Sequence, residues 1–300
     1  MRQFFTKSAA GRSAVGCLAL AGLVAFADAH SVTDDAGRQV TLPHPPQKII
    51  SIAPGATEML FAAGAGSLVI ATVEFSDEPP AAREVPRIGD SNAIDLERVV
   101  ALRPDVVVVW EGGSNAGQVA QLERLNIPLY REKVSRLADL APSLRRLGAL
   151  ADTRGVAEAA ARDLDSRLAA LAKQFGRRPP MSVLLEVWNR PVYTVGGAQM
   201  MTDSLQICGA SNIFADLKTQ GPAVDVEAII ARNPQAIVAV APPGTAHEWL
   251  EEWKRFGSLR AVRTGALIPF EDQRLSRLGP SAVGGTEALC KALDTHRPPR

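Results

Sequence analysis

Residues 94–109 read IDLERVVALRPDVVVV, and residues 224–240 repeat the same pattern as VDVEAIIARNPQAIVAV. In both segments an aspartate precedes a short helical pattern, a proline follows that pattern, and β-branched residues come next. A carboxylate can accept hydrogen bonds from the free N–H groups at a helix start, whereas proline prevents the helix from continuing. A run of valine and isoleucine is typical of a strand buried on both faces, as in a parallel sheet. Each segment therefore predicts a helix, a turn and a buried parallel strand.

The two copies also agree in detail along their helices. Asp95 and Asp225 are predicted to cap the helix starts, and the apolar pairs Val99–Val100 and Ile229–Ile230 are predicted to face inward. A unit that occurs twice, at a large separation, indicates two similar lobes, whereas a solenoid would need several short repeats. The predicted fold class is α/β, with two lobes that contain parallel-type sheets and a ligand cleft between them.

The stretch between the lobes has a different pattern. Residues 155–175 (GVAEAAARDLDSRLAALAKQF) are rich in Ala and Leu, with apolar residues at three- and four-residue spacing. A helix of this length spans about 30 Å, the diameter of a small domain, and would make one rigid connection. We therefore predict an N-terminal α/β lobe at 30–136, a helical linker with this long helix at 137–178, and a C-terminal α/β lobe at 179–300.

The N-terminus has the pattern of a secretory signal peptide. Three basic residues precede an apolar run at 14–27, and small residues follow that run. We predict a signal peptide at residues 1–29 with cleavage after Ala29. Cys17 leaves lipid attachment open as an alternative, although a lipoprotein cysteine should follow the apolar run and most of this run follows Cys17.

Two cysteines remain after cleavage, Cys208 and Cys290. An even pair in an exported protein predicts a disulfide bond, since oxidising compartments favour the bond. Two buried free thiols are the alternative.

Composition and motifs exclude several functions. Cleavage would remove three of the 33 basic residues and one of the 32 acidic residues, which leaves a nearly neutral chain without the basic patch that nucleic acid requires. The remaining histidines do not have metal-ligand spacing, so no metal site is predicted. A secreted hydrolase is the rival class, but the chain contains neither a G-x-S-x-G nor an H-E-x-x-H motif. We therefore predict a protein that is not an enzyme.

Four stretches, two of which overlap the repeated segments, carry a family resemblance. They are SIAPGATEMLFAAGA (51–65), EFSDEPP (74–80), DLERVVALRPDVVVVWEGGSN (95–115) and GPAVDVEAIIARNPQAIV (221–238). In order and spacing, and together with the two cysteines, these stretches resemble the helical-backbone (class III) periplasmic binding proteins of ABC importers. The resemblance implies a monomeric periplasmic protein that captures a large metal-chelate ligand and delivers it to a permease dimer in the inner membrane. Cobalamin is the predicted ligand, a ferric siderophore or haem is the alternative, and no intrinsic cofactor is expected.

Glu97 and Glu227 occupy equivalent places in the two copies of the repeat. An acidic residue in the first turn of a helix stabilises that helix, which would be a sufficient reason for both. In the family, one glutamate on each lobe forms salt bridges with arginines of the permease. The resemblance therefore implies that Glu97 and Glu227 are permease-docking residues.

Trp110 ends the first predicted buried strand. Ligands of open α/β sheets lie beyond the carboxyl ends of the strands, and a tryptophan there presents a flat apolar face to a corrin or porphyrin ring. A core tryptophan is the alternative. The resemblance also assigns a pocket position to Trp110 and to Phe75, which stands where the cobalamin-binding members have a tyrosine.

The other wall of the predicted pocket differs from the family pattern. Ser91 and Gly221 stand where cobalamin-binding members have tryptophans. Trp188 and Tyr193, close to the corresponding wall, are predicted to compensate as ligand-binding residues.

Polar ligand contacts are predicted at one loop of the C-terminal lobe. Asp272 matches an acidic pocket residue of the family, and Arg274 lies next to it. Arg190 and Arg274 are alternatively partners for an anionic ligand such as a haem propionate or a siderophore.

Overall fold

The computed structural model describes Met1, residues 29–90 and residues 93–297. The predicted signal peptide, apart from its two end residues, and Ser91 therefore lie outside the described residues. Within the described part of the chain, no helix is both long enough and apolar enough to cross a lipid bilayer.

Ten strands form one hairpin and two four-stranded sheets within the described residues. In chain order they are β1 (His30–Thr33), β2 (Gln39–Leu42), β3 (Ile49–Ser51), β4 (Val69–Ala71), β5 (Val106–Trp110), β6 (Leu129–Glu132), β7 (Met181–Glu186), β8 (Ala210–Asn212), β9 (Ala236–Val240) and β10 (Leu267–Phe270). The larger sheets are parallel, in the orders β4-β3-β5-β6 and β8-β7-β9-β10. Both sheets thus have the same topology, and the predicted α/β fold with two similar lobes is confirmed.

Ten α-helices connect these strands in the described part of the chain. They are α1 (Pro54–Ala62), α2 (Leu96–Leu102), α3 (Ala116–Arg124), α4 (Leu137–Leu150), α5 (Arg154–Phe175), α6 (Met200–Ile207), α7 (Val226–Arg232), α8 (Ala246–Trp253), α9 (Arg260–Thr264) and α10 (Ser281–Asp294). The helix predicted at 155–175 is α5, which begins one residue earlier. Because α5 contacts α1 on one side and α6 and α10 on the other, it packs against both lobes.

One hydrophobic core is continuous between the lobes. In β5, Val106 and Val108 belong to this shared core, whereas Val107 and Val109 face a second cluster that only the N-terminal lobe contributes to. The residues of β7 and β9 alternate in the same way between the shared core and a third cluster. Since α4 and α5 also contribute to the shared core, separation of the lobes would expose apolar surface. We therefore expect only small relative movement of the lobes.

The helices of the two repeats differ from the prediction in two respects. Asp95 caps α2 by accepting a hydrogen bond from the N–H of Arg98, but the side chain of Asp225 makes no such bond at the start of α7. Only Val99 of the first apolar pair is buried, and Val100 is exposed. Adjacent helix residues point about 100° apart, so a two-turn helix on a sheet buries one of them fully.

The predicted disulfide bond between Cys208 and Cys290 is present. It joins the C-terminal end of α6 to α10, across 82 positions of sequence, and both cysteines are buried. Cys208 lies just before β8, so the bond is near the amino-terminal edge of the second sheet.

Glu186, at the end of β7, is a buried acid that should make the stability of the protein depend on pH. Its side chain is fully buried, Oε2 accepts a hydrogen bond from the indole N–H of Trp253, and Oε1 has no partner among the described residues. Burial raises the pKa of Glu186 to about 7, which the hydrogen bond from Trp253 only partly offsets. The unfolded chain has the ordinary, lower pKa, so the folded state binds this proton more tightly than the unfolded state.

We expect Glu186→Gln to stabilise the protein in alkaline solution and not in acid. The wild-type side chain loses stability as the pH rises from the ordinary glutamate pKa through about 7, whereas glutamine has no proton to lose. Urea unfolding at pH 8.5 should show the variant to be more stable by roughly 3 kcal/mol, with no difference near pH 4. Glu248→Gln, at an exposed position of α8, is the matched control. An equal difference at both pH values would contradict the expectation.

Candidate functional site

A cavity of about 430 Å³ lies where the two lobes meet. The N-terminal lobe contributes residues that follow or end β3, β4, β5 and β6, namely residues 53–56, Phe75, Asp77, Trp110 and Glu132. The C-terminal lobe contributes residues that follow β10, namely Gln273, Ser276, Arg277 and Leu278. All five strands thus present their carboxyl ends to the cavity, which is where ligands bind in open parallel sheets.

Trp110 is held in place by the glycine loop that follows it. The indole ring occupies the space that a side chain at Gly113 would need, since a Cβ built there would lie 1.7 Å from Cε3 of the ring. The backbone N–H of Trp110 donates to the hydroxyl of Ser114, which closes the turn. Only glycine at position 113 therefore allows this ring position, while the partly exposed ring lines the cavity.

Phe75 projects into the cleft from a backbone in the left-handed region. Its φ is 64° and its side chain is 73% exposed. A left-handed backbone is costly for a bulky residue, and such strain collects at binding sites. A buried hydroxyl network of Thr57, Thr72 and Ser76 holds the base of this loop, and Arg87 donates to the carbonyl of Ser76. The loop is thus fixed while its aromatic side chain remains uncovered.

Glu132 is a cavity residue that sequence reasoning missed. It ends β6 directly beside Trp110, and it is only 1% exposed. Its Oε1 atom has no hydrogen-bond partner in the described part of the chain. Burial, together with the negative charges of Asp35 and Glu58, raises the pKa of Glu132 well above its ordinary value. The period-two pattern of a strand places Glu132 on the same face as Tyr130, but it does not reveal an acid beside a cleft.

The floor of the cavity is a close contact between the lobes. Glu58 of α1 accepts hydrogen bonds from the backbone N–H and the hydroxyl of Ser281 at the start of α10. A side chain at Gly279 would collide with Glu58, and one at Gly55 would collide with the carbonyl of Leu278. Burial raises the pKa of Glu58, although both bonds from Ser281 act in the opposite direction. Two glycines and one buried acid therefore set the distance between the lobes.

Trp188 and Tyr193 are not among the residues that line this cavity. Both lie after the carboxyl end of β7, are exposed, and pair with each other across a tight turn. One edge of Trp188 packs on Trp249, with 6.2 Å between the ring centroids. Gly221 is exposed on a neighbouring segment of the same lobe. These two aromatic residues thus present an apolar patch at the carboxyl edge of the second sheet, outside the cavity itself.

The arginines that sequence analysis considered as anion partners are already paired. Arg274 forms a two-pronged ion pair with Asp272 through Nε and Nη2, and this pair lowers the pKa of Asp272. The guanidinium group of Arg190 likewise forms an ion pair with the carboxylate of Glu252. Neither Asp272 nor Arg274 lines the cavity, although Gln273 between them does. The guanidinium group that faces the cavity is Arg277.

Glu97 and Glu227 lie on equivalent helices, α2 and α7, in the first turn of each. A helix that connects parallel strands runs antiparallel to them, so both first turns lie at the carboxyl edges of their sheets, the side on which the cavity opens. Both side chains are exposed, and neither forms a salt bridge within the described residues. Glu227 borders a separate surface cavity together with Arg190, Glu252 and Arg255. In the described ranges, no group of three His, Cys, Asp or Glu side chains could hold a metal ion.

Comparison with known proteins identifies the family to which this chain is similar. Residues 49–273 match the model of the periplasmic binding protein family. The vitamin B12-binding protein of Salmonella typhimurium is 32% identical over 246 residues, which cover 82% of this chain and 90% of that protein.

Two crystal structures are also similar. The periplasmic vitamin B12 binding protein of Vibrio cholerae has a TM-score of 0.76 at 28% identity, over 84% of this chain and 98% of that one. A periplasmic heme binding protein of Pseudomonas aeruginosa has a TM-score of 0.72 at 25% identity, over 85% and 95% of the two chains. The family match covers most of the chain, so the chain belongs to the periplasmic binding protein family.

Proposed function

We propose that this protein is the periplasmic substrate-binding component of an ABC importer and that its ligand is cobalamin. The observation that carries the proposal is the pair of aromatic side chains, Phe75 and Trp110, at a cavity built from the carboxyl ends of five strands. Flat apolar surfaces suit the ring of a large metal chelate. The similarity to vitamin B12-binding proteins supports the same ligand. The protein acts by binding and release, as a monomer and without an intrinsic cofactor.

The charges around the cavity favour an uncharged ligand over an anionic one. Among the described residues, Arg277 is the cation in the cavity wall, and it is opposed by the carboxylate of Asp77. Arg274 and Arg190 are neutralised by their own carboxylate partners. A ligand with several carboxylates would therefore lose water contacts without gaining matching cations. Cobalamin is therefore favoured over haem and anionic ferric siderophores, which are the alternative ligands.

We further propose how the chain is organised for this task. Residues 1–29 serve as a signal peptide that is cleaved after Ala29. Residues 30–136 and 179–300 form the two ligand-binding lobes, and residues 137–178 form the linker between them. Trp188 and Tyr193 extend the ligand-binding surface beyond the cavity, over the C-terminal lobe, while Asp272 and Arg274 shape its polar border.

Glu97 and Glu227 are proposed to dock the protein on its permease. Their position supports this role, because one exposed acid lies on each lobe at the edge on which the cavity opens. A ligand released from the cavity would then face the permease directly. Two anions related by the symmetry of the lobes match a permease dimer that presents arginines.

The ligand is tested by titration of the purified mature protein with three compounds. Cyanocobalamin, haemin and a ferric hydroxamate siderophore have different visible spectra, and binding of each also quenches tryptophan fluorescence. We expect cyanocobalamin to bind at least tenfold more tightly than the other two. Tighter binding of haemin or of the siderophore would overturn the assignment of cobalamin and leave the transport role in place.

Loss of the aromatic side chains should weaken binding. Trp110→Ala and Phe75→Ala are each expected to cost about 1–3 kcal/mol in binding free energy, because each removes a flat apolar contact. Isothermal titration with cyanocobalamin measures the effect. Leu125→Ala, at an exposed apolar position outside the cavity, is the control. Unchanged affinity in both aromatic variants, with intact folding, would place the ligand elsewhere.

A further inference from the structure

Glu132 differs from the other buried acids near the cavity because one of its oxygen atoms is left without a partner. Asp35 accepts hydrogen bonds from the hydroxyl groups of Tyr130 and Ser143 and pairs with Arg146. Glu58 is bonded to Ser281. Glu132 has no partner for Oε1, although the residue is almost fully buried. A buried polar atom of this kind costs stability and calls for an explanation.

The position of Glu132 offers an explanation for its unpartnered oxygen atom. The residue is part of the cavity wall, and the strand register places it next to Trp110. Its surroundings are a low-dielectric protein interior and two acids, Asp35 and Glu58, which raise the pKa of Glu132 well above its ordinary value. A raised pKa favours the neutral carboxylic acid, which has one O–H donor and one C=O acceptor.

We propose that Glu132 is the polar group that orients the ligand in the cavity, by exchanging a pair of hydrogen bonds with an uncharged primary amide of the ligand. This inference rests on the proposed function and narrows it to ligands that carry amides at the rim of a large ring. A carboxylic acid and a primary amide each have one donor and one acceptor side by side, so they form two parallel hydrogen bonds. The corrin ring of cobalamin carries such amides. Trp110 would then contact the ring face, and Glu132 one of its substituents.

A binding role and a structural role predict opposite effects on stability. If Glu132 served the fold, its replacement by an apolar residue would destabilise the protein. If it serves the ligand, Glu132→Leu removes an unsatisfied polar group, so the variant should melt at the same temperature as the wild type or higher.

The test measures cyanocobalamin affinity and melting temperature for matched variants. We expect Glu132→Leu to weaken cyanocobalamin binding about tenfold without lowering the melting temperature. Glu132→Gln, which keeps one donor and one acceptor, should bind within about threefold of the wild type. Glu251→Leu is the control, since Glu251 is exposed on α8 and does not line the cavity. If Glu132→Leu does not fold, Glu132→Met takes its place with the same expectation.

The outcomes separate this inference from the proposed function. If the wild type binds cyanocobalamin and the apolar variant binds it equally well, Glu132 makes no ligand contact and the proposed function stands. If the apolar variant binds cyanocobalamin more weakly and also melts at a lower temperature, Glu132 is a structural residue and the inference fails. If the wild type does not bind cyanocobalamin, the proposed ligand fails and the inference fails with it.

Discussion

The double variant Glu97→Lys, Glu227→Lys is expected to bind its ligand normally and to lose transport through the cognate permease. Both side chains are exposed and neither lines the cavity, so ligand affinity should stay within about twofold of the wild type. Reversed charges would face the permease arginines across a partly desolvated contact, where like charges repel by several kcal/mol. Ligand uptake into proteoliposomes that contain the permease should therefore fall by about 100-fold or more.

A matched control separates docking from net charge. Asp163→Lys, Asp165→Lys makes the same change of charge at two exposed positions of α5, away from the first turns of α2 and α7. This control should transport normally, and reversal of the permease arginines should restore transport by the Glu97→Lys, Glu227→Lys variant. Normal transport by the Glu97→Lys, Glu227→Lys variant itself would reduce both glutamates to helix-end charges.

Removal of the disulfide bond should have the largest effect on stability. The bond between Cys208 and Cys290 closes a long loop, which restricts the unfolded chain more than the folded one. Cys208→Ala, Cys290→Ala is expected to lower the free energy of unfolding by about 4 kcal/mol. Urea unfolding of the variant, and of the wild type with and without reductant, measures the loss.

Removal of the disulfide bond should lower the stability of the protein without lowering its affinity for ligand. Cys208 lies near the amino-terminal edge of the second sheet, whereas the cavity lies at the carboxyl edges. The alanine variant should therefore bind cyanocobalamin as tightly as the wild type under conditions in which it is folded. Reduced wild type and the alanine variant should unfold alike, and a loss of less than about 1 kcal/mol in both would contradict the loop-closure explanation.

Much of the fold could be predicted because its signals are local or repeated. The four valines of β5 and the apolar run of β9 identify strands buried on two faces, and the 22-residue helix α5 has a clear apolar spacing. The N-terminal hairpin β1–β2 was missed, since four-residue strands with exposed alternate positions carry little pattern. The failure of Asp225 to cap α7 could not be predicted from residue type, since the equivalent Asp95 caps α2.

The residues of the candidate site were likewise predicted only in part from the sequence. Trp110 was predicted as a ligand-binding residue from the end of a strand that the sequence identifies, and Phe75 from the family resemblance. Both line the cavity. Trp188, Tyr193, Asp272 and Arg274 come from the correct edge of the second sheet but are not part of the cavity wall. The side chains that replace them there, Arg277 and Leu278, follow a 3₁₀ turn whose direction no local pattern predicts.

The two-lobed α/β architecture, the long connecting helix and the residues that form the disulfide bond could all be predicted from the amino-acid sequence. These features depend on periodicity, repetition and cysteine count, which are properties of the chain read in order. Which groups meet around the cavity depends instead on the tertiary structure. Glu132 lies beside Trp110 through strand pairing, and Glu58 binds Ser281 across 223 positions of sequence. Burial and partner geometry set the charge of each group, and both arise only when segments distant in sequence pack against one another.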